Sequence, residues 1–283
     1  MSSYGFYRFA ATDTAREIFR PKAISYVMAA GLVSAILGPQ LVKLTAELSI
    51  IPFFGSYMTI VILNIFGPAI FSFLRIPINS DVRLSTKKSR SLNKILIAAP
   101  IRTAIICGMI SYALMNLIMT SAPLAIVGCG FSQGNAADVV MVHVLAMSIP
   151  SFFTGHLILR FGVRPIIAVG LTLLCLAALS GLSGTGLFNF FITLILLGLG
   201  WNFSFIGATN LLANNHTANE RGKTQGVNDM IVFGFVALAS LSSGALLNCS
   251  GGDIQQGWQL VNLAMFPLLV ISASTLLVLK IAK

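Results

Sequence analysis

Long apolar runs separated by short polar turns set the plan of this chain. Eight runs stand out, at about residues 23–46, 51–74, 95–119, 138–159, 164–183, 187–212, 226–248 and 257–280. Each is close to the roughly 20 apolar residues that a helix needs to cross the hydrocarbon core of a bilayer. Within lipid every backbone donor and acceptor must find a partner, so runs of this length are predicted as helices. The fold class read from the pattern is an all-α polytopic membrane protein with eight transmembrane helices. Two connections are longer than the rest. Residues 120–137 hold Pro123, Gly128, Gly130, Gly134 and Asn135, all turn formers, and are predicted as a loop. Residues 75–94, RIPINSDVRLSTKKSRSLNK, form a polar and basic linker. The linker divides the chain into 1–74, with two spans, and 95–283, with six. Six-helix bundles are often two triplets related as inverted repeats. Here 95–183 and 187–280 would be those triplets, a division that rests on span count alone.

Charge gives the spans a direction. When the loops are assigned alternately to two faces, all 18 Lys and Arg residues except Lys43 fall on one face or, like Arg102, just inside it. Basic segments are retained on the cytoplasmic side, so both termini are expected there, in the inner membrane of a bacterium. The chain is 56% hydrophobic and 9% charged, against about 25% charged in soluble domains. A net charge of +10 is by itself compatible with nucleic-acid binding. The basic residues instead lie beside apolar spans in five separate segments, without interleaved aromatics. Topology and anionic lipid account for them, so the bilayer is the expected partner and nucleic acid is not. Residues 1–22 carry Arg8, Arg16 and Arg20 and lack the apolar stretch of a cleavable signal, so the first span is expected to act as the insertion signal. Cys107 and Cys175 lie in apolar runs and read as small hydrophobes. Cys129 and Cys249 both fall near the outer face, where a disulfide between them is one option. No CxxC or HxxxH spacing occurs, so no metal site is expected and no cofactor is implied.

Three segments resemble the major facilitator superfamily. GHLILRFGVRP, Gly155 to Pro165, resembles that superfamily's short cytoplasmic loop motif G-x-L-x-D-R-x-G-x-R. Gly155, Leu157, Arg160, Gly162 and Arg164 match in order, and Leu159 stands at the acidic position. ANERGKTQGVNDMIVFG, Ala218 to Gly234, resembles the connection between the tenth and eleventh helices. Glu220 and Arg221 open it, and Asp229 lies just inside the membrane. In SAILGPQLV, Gly38 and Pro39 resemble the Gly-Pro pair of the fifth helix, with Val42 in place of a later glycine. Proline removes a backbone hydrogen bond and kinks a helix, which suits a rocking element. The resemblance implies that the eight spans correspond to helices 5–12 of a twelve-helix fold. It further implies a carrier for a small-molecule solute that works by alternating access, with Gly155, Arg160, Gly162, Arg164, Glu220, Arg221 and Asp229 in gating loops. Counterparts of helices 1–4 do not occur in the sequence. The chain is therefore read as a truncated or split transporter, or as one needing a partner chain that supplies four more helices.

Polar groups at membrane depth are costly and invite functional readings. His143, about a turn inside the outer end of its span, reads as a proton-coupling or solute-binding group, or as a neutral histidine bonded to a neighbouring helix. Trp201 and Asn202, near the middle of theirs, could stack on a planar solute and supply amide hydrogen bonds, or pack helices. Tyr112 and Asn116 lie one turn apart on one face and could join His143 at a cavity mouth. Asn64 is central in the second span, as a solute contact or an interhelical hydrogen bond. Asp229 could pair with Arg221 or Lys223, and Arg102 could snorkel to headgroups or face an anionic solute. Two function classes follow: a secondary transporter, active or facilitative, or a non-transporting remnant or membrane subunit. An enzyme is not expected, because no nucleophile–base pair, phosphate loop or paired intramembrane carboxylates occur.

Overall fold

A computed structural model describes residues 15–29, 54–71, 90–249, 251 and 253–281, with isolated positions at 32, 37, 41, 44, 45 and 48. The described residues are helical throughout. In chain order the helices are α1 (Arg20–Ala29), α2 (Phe54–Phe71), α3 (Leu92–Ile97), α4 (Ala99–Gly128), α5 (Gln133–Ser148), α6 (Ser151–Phe161), α7 (Val163–Leu182), α8 (Leu187–Ala213), α9 (Arg221–Asn248), α10 (Ile254–Leu263) and α11 (Met265–Ile281).

Six crossings are long and apolar enough to span a bilayer: α4, α5 with α6, α7, α8, α9, and α10 with α11. They correspond to the six predicted spans after the linker. The two earlier spans are described only in part, as α1 and α2, so a count of eight lies outside the described residues. Gly38, Pro39 and most of the linker lie outside them as well.

The predicted loop over 120–137 is largely helix. α4 runs through Pro123 to Gly128, and α5 begins at Gln133. Pro123 is followed by Leu124, Ala125, Ile126 and Val127, apolar residues that continue the run, so the lost hydrogen bond is absorbed within the helix. The real turn is four residues. Gly130 takes φ 91°, and a capping box closes the start of α5: the Ser132 hydroxyl accepts from the Asn135 N–H, and the Asn135 side chain accepts from the Ser132 N–H.

α4 and α8 form the centre of the bundle, each buried on most of its circumference. Small residues let the backbones meet, as packing within lipid requires. A Cβ on Gly198 of α8 would stand 2.8 Å from the His143 carbonyl oxygen of α5. A Cβ on Gly170 of α7 would stand 2.8 Å from the Gly200 carbonyl oxygen of α8. α1 lies against α6 and α8 at one edge. α2 is exposed over most of its described length. The four cysteines are all free.

Candidate functional site

α4 shows how the bundle exposes one face. Its accessible positions include Arg102, Ile106, Met109, Tyr112, Asn116 and Thr120, and continue through Leu124 and Val127. Steps of three and four residues place these on a single line along the helix, while the rest of α4 is packed into the core. Arg102 lies near the end where the basic loops are, and Leu124 near the opposite end.

At mid-depth on this line four aromatic rings meet. Tyr112 lies 5.6 Å from Trp201, 5.1 Å from Phe205 and 5.8 Å from Phe233, centroid to centroid. Trp201 and Phe205, one turn apart on α8, are stacked at 5.1 Å and 14°. Trp201 and Phe205 are buried, and Tyr112 and Phe233 are partly accessible. The outer two rings thus present aromatic surface to the open face, backed by the stacked pair. The Trp201 indole N–H is buried and has no acceptor among the described residues. Asn116, one turn above Tyr112, accepts from the Thr120 hydroxyl at 3.5 Å and is half-accessible.

Asn202 is not part of this surface. It points into the junction between α5 and α6, where Pro150 interrupts the helix. Its amide donates to the Met147 carbonyl at 2.6 Å and to the Ser151 hydroxyl at 2.5 Å, and its oxygen accepts from the Thr154 hydroxyl at 2.7 Å. The hydrogen bonds expected for a solute are made to a helix break. His143 lies away from the cavity mouth too. It is fully buried between α5 and α8, with Nδ1 donating to the Leu194 carbonyl at 2.7 Å. Asn64 is exposed on α2 and donates to the Ile60 carbonyl at 2.8 Å.

The loop residues divide by role. Gly162, at φ 87°, makes the turn between α6 and α7, a conformation that a Cβ disfavours. Gly155 sits against the backbone of α1, where a Cβ would meet the Pro21 carbonyl oxygen at 2.6 Å. Arg160 lies over the Phe161 ring at 5.3 Å. Arg164 is half-accessible. Asp229 accepts from the Asn228 amide at 3.0 Å. Arg221 opens α9 directly after Glu220.

Glu220 has a partner that the sequence did not indicate. It accepts from Arg90 Nε at 2.7 Å, from Arg90 Nη2 at 2.8 Å, and from the N–H groups of Arg90 and Thr217 at 3.1 Å. This bidentate clamp ties the end of the basic linker to the connection between α8 and α9. The Arg90 guanidinium holds the Glu220 carboxyl well below the usual carboxylate range. A depressed pKa contributes stability above the unfolded value of about 4.3 and loses it only as pH falls toward the folded value. Glu220→Gln is therefore expected to lower the thermal midpoint in detergent by a similar amount anywhere between about pH 5 and 8. Glu220 is 2% exposed but Arg90 41%, so screening limits the loss to about 1–2 kcal/mol.

A family model for the Major Facilitator Superfamily matches residues 104–282. The chain belongs to this superfamily. It is a multi-pass membrane protein, and its relatives are transport proteins. A riboflavin transporter, RfnT of Brucella anthropi, is 44% identical over 94% of this chain and 66% of its own length. Two uncharacterized MFS-type transporters of Bacillus subtilis, YddS and YdeG, are 28% and 30% identical over 84% of the chain and 58% of their own lengths. The chain thus spans about three-fifths to two-thirds of these superfamily members. A crystal structure of a bacterial homologue of the iron transporter ferroportin, in an outward-facing state, shares the fold. It has a TM-score of 0.57 and 14% identity, over 93% of this chain and 66% of that one.

Proposed function

We propose that this chain supplies the later helices of a secondary carrier for a flat heteroaromatic solute of the flavin type. The observation that carries the reading is the four-ring cluster at mid-depth on the open face of α4. Tyr112 and Phe233 take one face of the ring system, and the Trp201–Phe205 stack holds them in place. The Asn116 amide, half-accessible one turn above Tyr112, supplies hydrogen bonds to the carbonyl and ring-nitrogen edge of the solute. A relative named for riboflavin at 44% identity supports that solute class.

The open face works as one wall of a passage. Alternating access needs a second helix bundle opposite α4 and α9, supplied by counterparts of helices 1–4 on a preceding segment or a partner chain. The basic loops face the cytoplasm of a bacterium, so Leu124 lies toward the outside. In this reading Asn202 and His143 position helices and do not touch the solute. Gly155, Gly162 and the Arg90–Glu220 clamp shape the cytoplasmic ends.

Riboflavin uptake tests the reading in bacteria that need exogenous riboflavin. The chain would be expressed alone and together with the first four helices of the Brucella relative. Uptake in either arm, competed by excess unlabelled riboflavin, is the expected result. Stable membrane insertion with no flavin uptake or binding in both arms would favour a non-transporting subunit.

A further inference from the structure

Above the aromatic cluster the open face widens into a cavity of about 1050 Å³. It lies between the outer ends of α4, α5, α9 and α10. Leu124 and Val127 lie roughly 18 and 22 Å along α4 from Tyr112 at about 1.5 Å per residue, too far for one ring system to lie on both sites. The lining is mostly aliphatic, with three polar side chains: Gln133 and Asp138 on α5 and Asn248 at the end of α9. Asp138 is exposed to the cavity and has no hydrogen bond or ion pair with any described residue. Asn248 donates to the Gly244 carbonyl at 2.8 Å, which leaves its oxygen open. The capping box at Ser132 and Asn135 fixes the start of α5, which carries Gln133 and Asp138.

We propose that this cavity is an outer access subsite for the hydroxyl-bearing chain of the solute. The inference rests on the flavin-type reading above and adds a second place where the same molecule is held. Large, mostly apolar cavities with a few convergent polar groups are the usual form of a small-molecule site. The polar set here selects among solutes. A carboxylate and an amide oxygen accept, and the Gln133 amide both donates and accepts. Neutral hydroxyls, which do both, satisfy this mixture. A site for a fixed cation would offer acceptors alone. The aliphatic lining covers the ring while the polyol chain reaches Asp138. Transfer to the aromatic cluster then moves the ring down the α4 line.

The test compares two flavins with one ring system, riboflavin and lumiflavin, in which a methyl group replaces the polyol chain. Binding to the full chain in detergent is followed by flavin fluorescence. Wild type is expected to bind riboflavin at least about tenfold more tightly than lumiflavin. Asp138→Ala is expected to remove most of that difference by weakening riboflavin alone, and Asp138→Glu to restore part of it. Asp138 is exposed on its helix, so neither change threatens the core. Equal preference in wild type, or a preference that survives Asp138→Ala, would overturn the access subsite while leaving the flavin reading in place. No binding of either flavin, in the presence of the first four helices of the relative as well, would overturn the flavin reading and the subsite with it.

Discussion

Tyr112→Ala is expected to cut riboflavin uptake by roughly ten- to a hundredfold, with Tyr112→Phe near wild type. Stacking of a flat heterocycle on an aromatic side chain is worth about 1–3 kcal/mol, and 1.4 kcal/mol is tenfold in affinity. Tyr112 is the ring that touches all three others of the cluster while keeping an accessible face. Removing it takes away contact surface and loosens Phe233 at the same time. Phenylalanine keeps the ring, so a matching loss with Tyr112→Phe would show that the hydroxyl and not the stacking surface matters. Trp201→Ala gives a less direct result, because truncating a buried Trp also costs about 3–5 kcal/mol in packing. The quantity to measure is initial uptake rate against solute concentration, normalised to the protein present in the membrane. Unchanged rates for Tyr112→Ala would remove the cluster from the pathway.

The second large effect is on stability. Asn202→Leu keeps the volume and deletes three hydrogen bonds that join α8 to the break between α5 and α6. At about 1 kcal/mol for each interhelical hydrogen bond within a membrane, the expected loss is about 3 kcal/mol. The thermal midpoint of the purified protein reports it. Asn202→Asp should fall at least as far, since it keeps the acceptor for Thr154 but sets a buried carboxylate oxygen against the Met147 carbonyl. The role is structural, so flavin affinity of the protein that remains folded should be nearly unchanged. A large drop in affinity without a drop in midpoint would return Asn202 to the solute site.

Much of the fold was legible because lipid makes hydrophobic run length decisive. The six later spans lie within a few residues of their predicted places, apart from α4. There Pro123 and Gly128 predict a turn, and the helix runs through both. The Ser132-to-Asn135 capping box was the local signal that marks the true turn. Asp138 opens the fourth predicted run and stands out there only once the structure places it against a cavity. The site was legible only in part. Tyr112 and Trp201 stand out in apolar runs because each carries a polar atom. Phe205 and Phe233 do not, since phenylalanine has no contrast with its surroundings there. Trp201 and Asn202 are neighbours in sequence and suggest one shared site, yet adjacent residues on a helix point about 100° apart. One therefore faces the aromatic cluster and the other the α5–α6 break. The Arg90–Glu220 clamp joins residues 130 positions apart, and local pattern carries no record of such a pairing.

The account depends most on the α4 line being a wall of the solute passage. A cysteine scan tests it directly, with the four native cysteines replaced and single cysteines placed from position 109 to 124. A water-soluble thiol reagent is expected to label 109, 112, 116, 120 and 124, to spare 113, 114, 117 and 118, and to be blocked by riboflavin at 112 and 116. Labelling without that three-and-four spacing, or labelling at 112 and 116 that riboflavin leaves untouched, would contradict the account.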